Sequence, residues 1–213
     1  YSFDAGQAHF IGLCTPPATH GVLHEKFNLS EGEMTQLEWF ARDLECTRKA
    51  PWRFVFHHEP GTKFCRLSEP SDGAGSSVVS EFVEPLAWRE GVDLIFRGHQ
   101  HLYERTYPLN PLSHARDDER GMSLITVGGG CVAYRPEDPQ NAVPRWFDAT
   151  ISLHQMHYLK IRLRGHVLTA EAKNLDGEVF DQFSIRKKSD GSRQWEGLPT
   201  KGIFLVKNRL QSY

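Results

Sequence analysis

The strongest constraint in this sequence is an apolar run, Val92-Asp93-Leu94-Ile95-Phe96, that leads directly into Gly98-His99-Gln100-His101. Such a run is typical of a buried strand, and Gly98 allows a tight exit from it. Residues two apart in an extended segment project to the same side. We therefore expect His99 and His101 to face one centre, and the pattern predicts a metal site at the end of a strand.

A second apolar strand also runs into histidine, in the segment Trp52-Arg53-Phe54-Val55-Phe56-His57-His58-Glu59-Pro60. An earlier strand is indicated over 8–14. Helices are predicted between these strands. One is opened by a capping box at Thr35-x-x-Glu38 or at Ser30-x-x-Glu33 and has apolar residues at helical spacing, Leu37, Phe40, Ala41 and Leu44. The other spans about 78–89. This alternation favours a parallel, right-handed α/β arrangement, in which ligands bind beyond the carboxyl ends of the strands.

The C-terminal part has a different pattern. Segments 157–163 and 166–172 flank an Arg-Gly turn, and a further turn at Gly177 leads into 178–185. Strands joined by short turns are typical of an antiparallel sheet. The fold class predicted from the whole pattern is α/β, with a parallel first half and antiparallel C-terminal strands.

The histidine segments resemble motifs of one enzyme family. Followed by Tyr103-Glu104-Arg105, the Gly-His-x-His segment resembles the last metal-binding motif of the purple acid phosphatases, within the calcineurin-like metallophosphoesterases. The segment ending in His57-His58-Glu59-Pro60 is similar to the family's strand with a single ligand histidine two residues before a proline, which selects His58 over His57. Residues 1–10 resemble the strand-turn-strand that follows the family's Gly-Asn-His-Glu motif.

The resemblance runs to about Arg186 and implies a fold. Residues 1–186 would form the C-terminal part of a metallophosphoesterase catalytic domain, and residues 187–213 a C-terminal extension. The implied architecture is part of a four-layer α/β/β/α sandwich.

The resemblance also implies a chemistry. The family holds a binuclear centre of iron with zinc, manganese or a second iron, at which a metal-bound hydroxide attacks a phosphate monoester. His101 would bind the ferric ion, and His58 and His99 the second metal. His57 is assigned to catalysis, orienting a ligand through a hydrogen bond.

Charged residues near these motifs are predicted to contact phosphate or to hold the histidine loop. Lys63 and Arg66 are the cations closest after His58 and are candidates for phosphate contacts. The loop that holds them has no histidine, whereas plant-type members of the family carry extra histidines there. We interpret Glu104 and Arg105 as a pair that holds the histidine loop.

Several ligands of the family lie in motifs that precede Tyr1, and the chain contains neither a Gly-Asp nor a Gly-Asn dipeptide. We therefore expect an upstream half of the domain, or a partner chain, to supply the missing aspartate, tyrosine and asparagine ligands. Activity of this chain alone is not expected. Two alternatives stay open: a non-catalytic phosphatase-fold module that binds at most one metal, and histidines that are relics of an ancestral site.

Composition sets further bounds. The chain has 213 residues and a formal net charge of -2, which gives no indication of a nucleic-acid or membrane partner. Its four cysteines allow three pairings that the sequence does not resolve. Asn28-Leu29-Ser30 fits the glycosylation pattern and is expected in a surface loop. With the family resemblance, this favours a secreted or extracellular protein.

Overall fold

A computed structural model describes residues 1–15, 26–29, 32–61, 64, 77–130, 145–153 and 155–206. The chain divides into two compact units. The first unit comprises Tyr1–His99 and Asn110–Ala115, and the second comprises Gln100–Leu109 and Arg116–Tyr213.

The first unit is built on parallel strands with helices between them. Its elements, in chain order, are β1 (Ser2–Ala5), β2 (Ala8–Gly12), β3 (Lys26–Leu29), β4 (Gly32–Thr35), α1 (Gln36–Cys46), β5 (Trp52–His57), a π-helical turn (Val79–Val83), α2 (Glu84–Arg89) and β6 (Leu94–Arg97). Strands β1, β2, β5 and β6 are neighbours in that order. The β1–β2 pair is antiparallel, and β2, β5 and β6 run parallel. The predicted parallel first half is confirmed.

Aromatic rings connect these strands across one face of the sheet. The ring centroids of Phe3 and Phe10 are 5.0 Å apart, those of Phe10 and Phe54 5.3 Å, and those of Phe54 and Phe96 5.9 Å. Side chains alternate between the two faces along a strand. Arg53, on the other face of β5, therefore points away from the rings, and its guanidinium donates to the backbone carbonyls of Leu44 in α1 and of Glu90.

The start of α1 distinguishes between the two capping boxes that the sequence allowed. Thr35 accepts a hydrogen bond from the backbone N–H of Glu38 through its side chain, and the Glu38 carboxylate accepts one from the N–H of Thr35. The helix buries Phe40 and Leu44 and ends at Cys46. The helical spacing predicted both the helix and its buried side.

The second predicted helix is only partly regular. Residues Val79–Val83 form a π-helical turn, in which the N–H of Glu84 donates to the carbonyl of Val79, and α2 follows. Pro85 at the start of α2 has no N–H to donate and crowds the preceding turn, which accounts for the wider turn before it. The prediction of a helix over about 78–89 is confirmed, with a π-helical turn in its first half that the sequence pattern did not indicate.

Strands dominate the second unit. Its elements are β7 (Tyr103–Thr106), β8 (Leu109–Asn110), β9 (Ala115–Arg116), β10 (Ser123–Val127), β11 (Asp148–Leu153), β12 (His157–Arg164), β13 (Val167–Asn174), β14 (Val179–Lys187), β15 (Arg193–Glu196) and β16 (Ile203–Val206), of which β8 and β9 span the boundary between the two units. Strands β12, β13, β14 and β15 form an antiparallel sheet in chain order. The predicted antiparallel strands are confirmed, and with them the α/β fold class.

A buried carboxylate connects three strands of this unit. Asp181 in β14 accepts hydrogen bonds from the Tyr103 hydroxyl at 2.6 Å and from the Thr150 hydroxyl at 3.0 Å. Arg105 donates to both of its oxygens, from Nε at 2.6 Å and from Nη2 at 2.8 Å. The Arg105 side chain is fully buried. Burial and the Asp181 charge raise the pKa of Tyr103 well above its usual value, so the phenol stays protonated and donates.

The prediction that Arg105 pairs with Glu104 was wrong. The two are successive residues of β7, and successive side chains of a strand point to opposite faces. Arg105 pairs with Asp181 instead, and Glu104 accepts a hydrogen bond from Thr126 at 3.3 Å.

His157 is expected to make the stability of this protein depend on pH. Its Nδ1 lies 2.7 Å from the Gln155 carbonyl, and its Nε2 is buried without a hydrogen-bond partner among the described residues. Burial lowers its pKa, and the Gln155 carbonyl opposes this shift less strongly. The unfolded chain therefore takes up the proton first as the pH falls below about 6.5. We expect the stabilisation to be complete above that pH and to decrease below it, by about 1.4 kcal/mol for each unit by which the pKa is lowered.

The measurement is urea unfolding at pH 7.5 and pH 5.0, for the wild type and for His157→Phe. The variant is expected to lose less stability between the two pH values than the wild type. The control is His166→Phe, which alters an exposed histidine in the β12–β13 turn. An equal pH dependence in the wild type and in His157→Phe would contradict the assignment.

The structure also bears on three further expectations from the sequence, which concern Asn28, the cysteines and membrane-spanning helices. Asn28 lies in β3, where it pairs with Glu33 of β4, and not in the loop that we expected. Cys14 and Cys46 are free and exposed, whereas Cys65 and Cys131 lie outside the described residues. Within the described part of the chain, no helix is long and apolar enough to cross a membrane.

Candidate metal centre

Two of the predicted ligands lie at one edge of the parallel sheet. His58 is the first residue after β5, and His99 is the second residue after β6. Because β5 and β6 are parallel neighbours, their carboxyl ends meet at the same edge. The two rings are 5.5 Å apart between centroids and perpendicular to each other. The sheet topology thus brings together histidines that are far apart in sequence.

A third side chain, which the sequence analysis did not single out, completes the group. Glu59 Oε1 lies 3.1 Å from His99 Nδ1 and 4.0 Å from His58 Nε2. One ligand atom from each of these three residues lies within 4.8 Å of those of the other two. Glu59 is only 1% exposed, and its backbone N–H donates to the Thr15 hydroxyl at 3.1 Å.

The donor set fits a metal ion. Two imidazoles and a carboxylate are a combination that zinc, iron and manganese accept. The other carboxylate oxygen, Glu59 Oε2, is buried and has no hydrogen-bond partner among the described residues. A buried carboxylate oxygen without a partner is costly unless a positive charge lies nearby. A cation held between His58, Glu59 and His99 would supply that charge.

The edge also offers space beside the ligands. A cavity of about 420 Å³ is lined in part by Leu13, Phe56 and His58. The His58 side chain is 69% exposed. A small molecule in this cavity would therefore lie next to a side chain of the candidate centre.

Gly98 allows the close approach of β6 and His58. Its backbone N–H donates to the His58 carbonyl at 3.0 Å, and a Cβ added to Gly98 would lie 2.9 Å from His58 Nδ1. We expect Gly98→Ala to displace the His58 ring and to lower metal affinity about tenfold, with little change in stability, because the exposed ring can move away.

Isothermal titration with Zn²⁺ checks this effect, and thermal unfolding of the same samples checks folding. Gly130→Ala is the control for an added methyl group, since a Cβ there meets no atom within 4 Å and Gly130 does not have a positive φ. A Gly98→Ala chain that unfolds at a much lower temperature, or that binds Zn²⁺ as the wild type does, would contradict the expectation.

His57, predicted to assist catalysis, lies on the face of β5 opposite to Phe54 and Phe56 and is 6% exposed. Burial, with a further contribution from the charge of Arg97, lowers its pKa to about 3. Its ring is therefore neutral at ordinary pH. Neither ring nitrogen has a hydrogen-bond partner among the described residues.

The geometry assumed for the Gly-His-x-His segment was wrong. Strand β6 ends at Arg97, and His99 has a left-handed backbone with φ of 62°, so His99 and His101 do not belong to one extended segment. His101 is exposed and belongs to the second unit. Within the described residues, the ligand group of the first unit is His58, Glu59 and His99.

The structure does not describe the two residues that were predicted to contact phosphate. Lys63 and Arg66 lie outside the described residues. The missed residue, Glu59, has a weak sequence signal, a carboxylate directly after the selected histidine and before a proline. A polar residue after a strand is more often exposed, so its burial was not predictable from position alone.

The fold and this edge together define an α/β domain with a candidate metal site, and comparison with known proteins shows which family it resembles. Residues 8–103 match the calcineurin-like phosphoesterase family. "Purple acid phosphatase 21" of Arabidopsis thaliana is 28% identical over 158 residues, which cover 70% of this chain and 32% of that protein. "Purple acid phosphatase 18" of the same plant is 30% identical over 152 residues, which cover 68% of this chain and 30% of that protein.

A solved structure agrees with the fold. The purple acid phosphatase isolated from yellow lupin (Lupinus luteus) seeds matches with a TM-score of 0.67 at 20% identity, covering 90% of this chain and 33% of that one. Residues 8–103 thus match the calcineurin-like phosphoesterases, and the chain is similar to purple acid phosphatases, as the motifs predicted. It spans about a third of the length of these relatives.

Proposed function

We propose that this chain is part of a metal-dependent phosphatase that hydrolyses phosphate monoesters. The observation that supports this most directly is the convergence of His58, Glu59 and His99 at the carboxyl ends of two parallel strands, with ligand atoms within 4.8 Å of one another. Their arrangement at the sheet edge provides a rigid base for a cation that binds phosphate.

The residues have separate roles in this proposal. His58 and His99 hold one metal through imidazole nitrogens, and His101 contributes to a second metal, in a centre of iron with zinc, manganese or iron. When bound, these cations supply Lewis-acid stabilisation of charge on the phosphate oxygens. Further ligands come from an upstream segment or from a partner chain.

Neighbouring groups assist without binding metal. His57, buried and neutral next to His58, excludes water behind the ligand and limits the movement of the strand end. Lys63 and Arg66 contact the phosphate group of the substrate. The cavity beside His58 accepts a small phosphate ester. The protein is secreted and carries glycan on Asn28.

The test is hydrolysis of p-nitrophenyl phosphate by the native gene product that contains this chain. Activity is expected to be lost with a chelator, to return with added metal, and to decrease by at least about 100-fold in His58→Ala. His166→Ala, at an exposed turn, serves as the control and is expected to retain activity. Hydrolysis that survives both chelation and His58→Ala would refute the proposal.

A second candidate is a module that binds one metal without catalysis. The described ligand group supports this candidate because two imidazoles and one carboxylate suit a single ion. Elemental analysis of the purified native product distinguishes the two. About two metals per chain together with hydrolysis support the phosphatase, and one metal without hydrolysis supports the module.

A further inference from the structure

We infer that the free edge of β12 is a docking site for an extended acidic segment of another protein, which joins the antiparallel sheet as an additional strand. The segment that fits this edge alternates acidic and apolar residues. The docking site lies within the second unit, and it does not depend on the proposed function.

Strand β12 is an end strand of its sheet. The strand order is β12, β13, β14 and β15, and among the described residues β12 pairs with β13 alone. An end strand exposes the N–H and C=O groups that point away from its neighbour, and these groups can pair with the backbone of another chain. With eight residues in uninterrupted register, β12 offers a long edge for such pairing.

The turn after β12 determines which of its backbone groups point outward. Only Gly165 and His166 join β12 to β13, and the φ of 57° at Gly165 is typical of the first central position of a type II′ turn. Such a turn closes with a hydrogen bond between Arg164 and Val167. Hydrogen-bonded and non-hydrogen-bonded pairs alternate along antiparallel strands, so every second residue of β12 points its backbone groups away from β13. These residues are Leu159, Ile161 and Leu163.

The two faces of β12 differ in character. Three cations are exposed on the outer face, namely Lys160, Arg162 and Arg164. The residues between them, which carry the outward backbone groups, have apolar side chains on the inner face that are only half-buried. Side chains of an added strand also alternate between the faces. The matching strand therefore has acidic residues on the outer face and apolar residues on the inner face.

Strand β13 leaves most of this positive charge without a counter-charge. The two arginines of the row lie opposite uncharged residues, Thr169 and Val167. The acid opposite Lys160 is Glu171, and its carboxylate lies 3.1 Å from the ammonium of Lys173. The outer side chains of an added strand would form non-hydrogen-bonded pairs with the cations, in which side chains approach most closely. Carboxylates at these positions are favoured, because opposite charges across two strands attract.

The same cations disfavour a second copy of this chain as the occupant. Two β12 edges paired with each other would bring the cationic rows together on the outer face. Like charges directly opposite each other destabilise a strand pair, and charged residues at sheet edges commonly oppose association of this kind. An acidic partner converts this repulsion into attraction.

The probe for this site is a synthetic peptide in which glutamate and valine alternate. Its control has the same composition, with all of the glutamates before all of the valines. Fluorescence anisotropy of the labelled peptides gives their affinity for the native gene product that contains this chain. Hydrogen exchange, resolved to single residues by mass spectrometry with electron-transfer fragmentation, reports on the strand edge.

We expect the alternating peptide to bind and the control to bind at least about tenfold more weakly. The N–H groups of Leu159, Ile161 and Leu163 are expected to exchange at least about tenfold more slowly with the alternating peptide, because they gain hydrogen bonds. Arg162→Glu is expected to weaken binding about tenfold, since it turns an attraction into a repulsion. Arg186→Glu is the matched control, because Arg186 is exposed on the same face but two strands from the edge. Its affinity is expected to stay within about twofold of the wild type.

Several results would overturn the inference. Equal binding of both peptides, or equal losses in the two variants, would indicate a surface that attracts polyanions in general. The same conclusion follows if the peptide binds without slowing exchange at the three N–H groups. Absence of binding to the alternating peptide would show that the edge is closed to a strand. Sedimentation velocity that shows a wild-type dimer disrupted by Arg162→Glu would make the occupant a second copy.

Far-ultraviolet circular dichroism establishes that each variant is folded. If Arg162→Glu does not fold, the comparison of the two peptides on the wild-type protein decides by itself. Slower exchange at the three N–H groups with the alternating peptide alone supports the inference, and equal exchange with both peptides refutes it.

Discussion

Asp181→Ala is expected to lower the free energy of unfolding by about 3–5 kcal/mol. Asp181 accepts hydrogen bonds from Tyr103, Arg105 and Thr150, and the Arg105 side chain is fully buried. Burial by itself disfavours the charged form of Arg105, and the Asp181 carboxylate more than compensates, so that the pKa of Arg105 is raised. Removing the carboxylate leaves a buried guanidinium without its counter-charge and a buried phenol without its acceptor.

The chain contains a matched control for this substitution. Arg116 and Asp118 form a similar bidentate pair, at 2.6 and 2.7 Å, but their side chains are 39% and 48% exposed. Because exposed pairs are solvated and screened, Asp118→Ala is expected to cost at most about 1 kcal/mol. Urea unfolding at pH 7.5 measures both variants. A cost for Asp181→Ala no larger than that for Asp118→Ala would show that the buried network contributes little.

His99→Asn is expected to lower Zn²⁺ affinity by more than about 100-fold while leaving the fold intact. The substitution removes an imidazole ligand, which costs more than the loss of a supporting contact. Asparagine is one of the residues that tolerate a left-handed backbone, so the φ of 62° at this position is not a new source of strain. Equilibrium dialysis with metal analysis provides the affinity.

His114→Asn is the control for this prediction. Among the described residues, His99 and His114 are the two non-glycine residues with positive φ, and His114 has a φ of 50° and an exposed position. The same substitution in the same backbone conformation is thus made away from the ligand group. Zn²⁺ affinity is expected to stay at the wild-type level. If both variants bind as the wild type does, His99 is not a ligand.

Local patterns in the sequence predicted much of the secondary structure. The helical spacing of Phe40 and Leu44 and the capping box at Thr35 predicted α1, because these depend only on residues three or four positions apart. Turn residues predicted the antiparallel strands in the same way. The wider turn before Pro85 was not anticipated, although its cause is also local.

The candidate centre was predictable only in part. The order of strands and helices implied a parallel arrangement, and this placed His58 and His99 at one edge. The left-handed backbone of His99 was not predictable, because it depends on how the chain leaves β6 next to His58. The backbone of Glu59 is held in part by the Thr15 hydroxyl, which comes from a segment 44 positions away.

The sequence by itself determined many of the elements, their order in the parallel part, the resemblance to a family and the histidines at the strand ends, since each follows from neighbouring residues or from a motif. Only the tertiary structure decided which carboxylate forms an ion pair with which guanidinium or imidazole. Arg105 and Asp181 are 76 positions apart, and Glu59 and His99 belong to the ends of different strands. The packing of distant segments sets such pairs, because a buried charge is costly unless an opposite charge lies next to it.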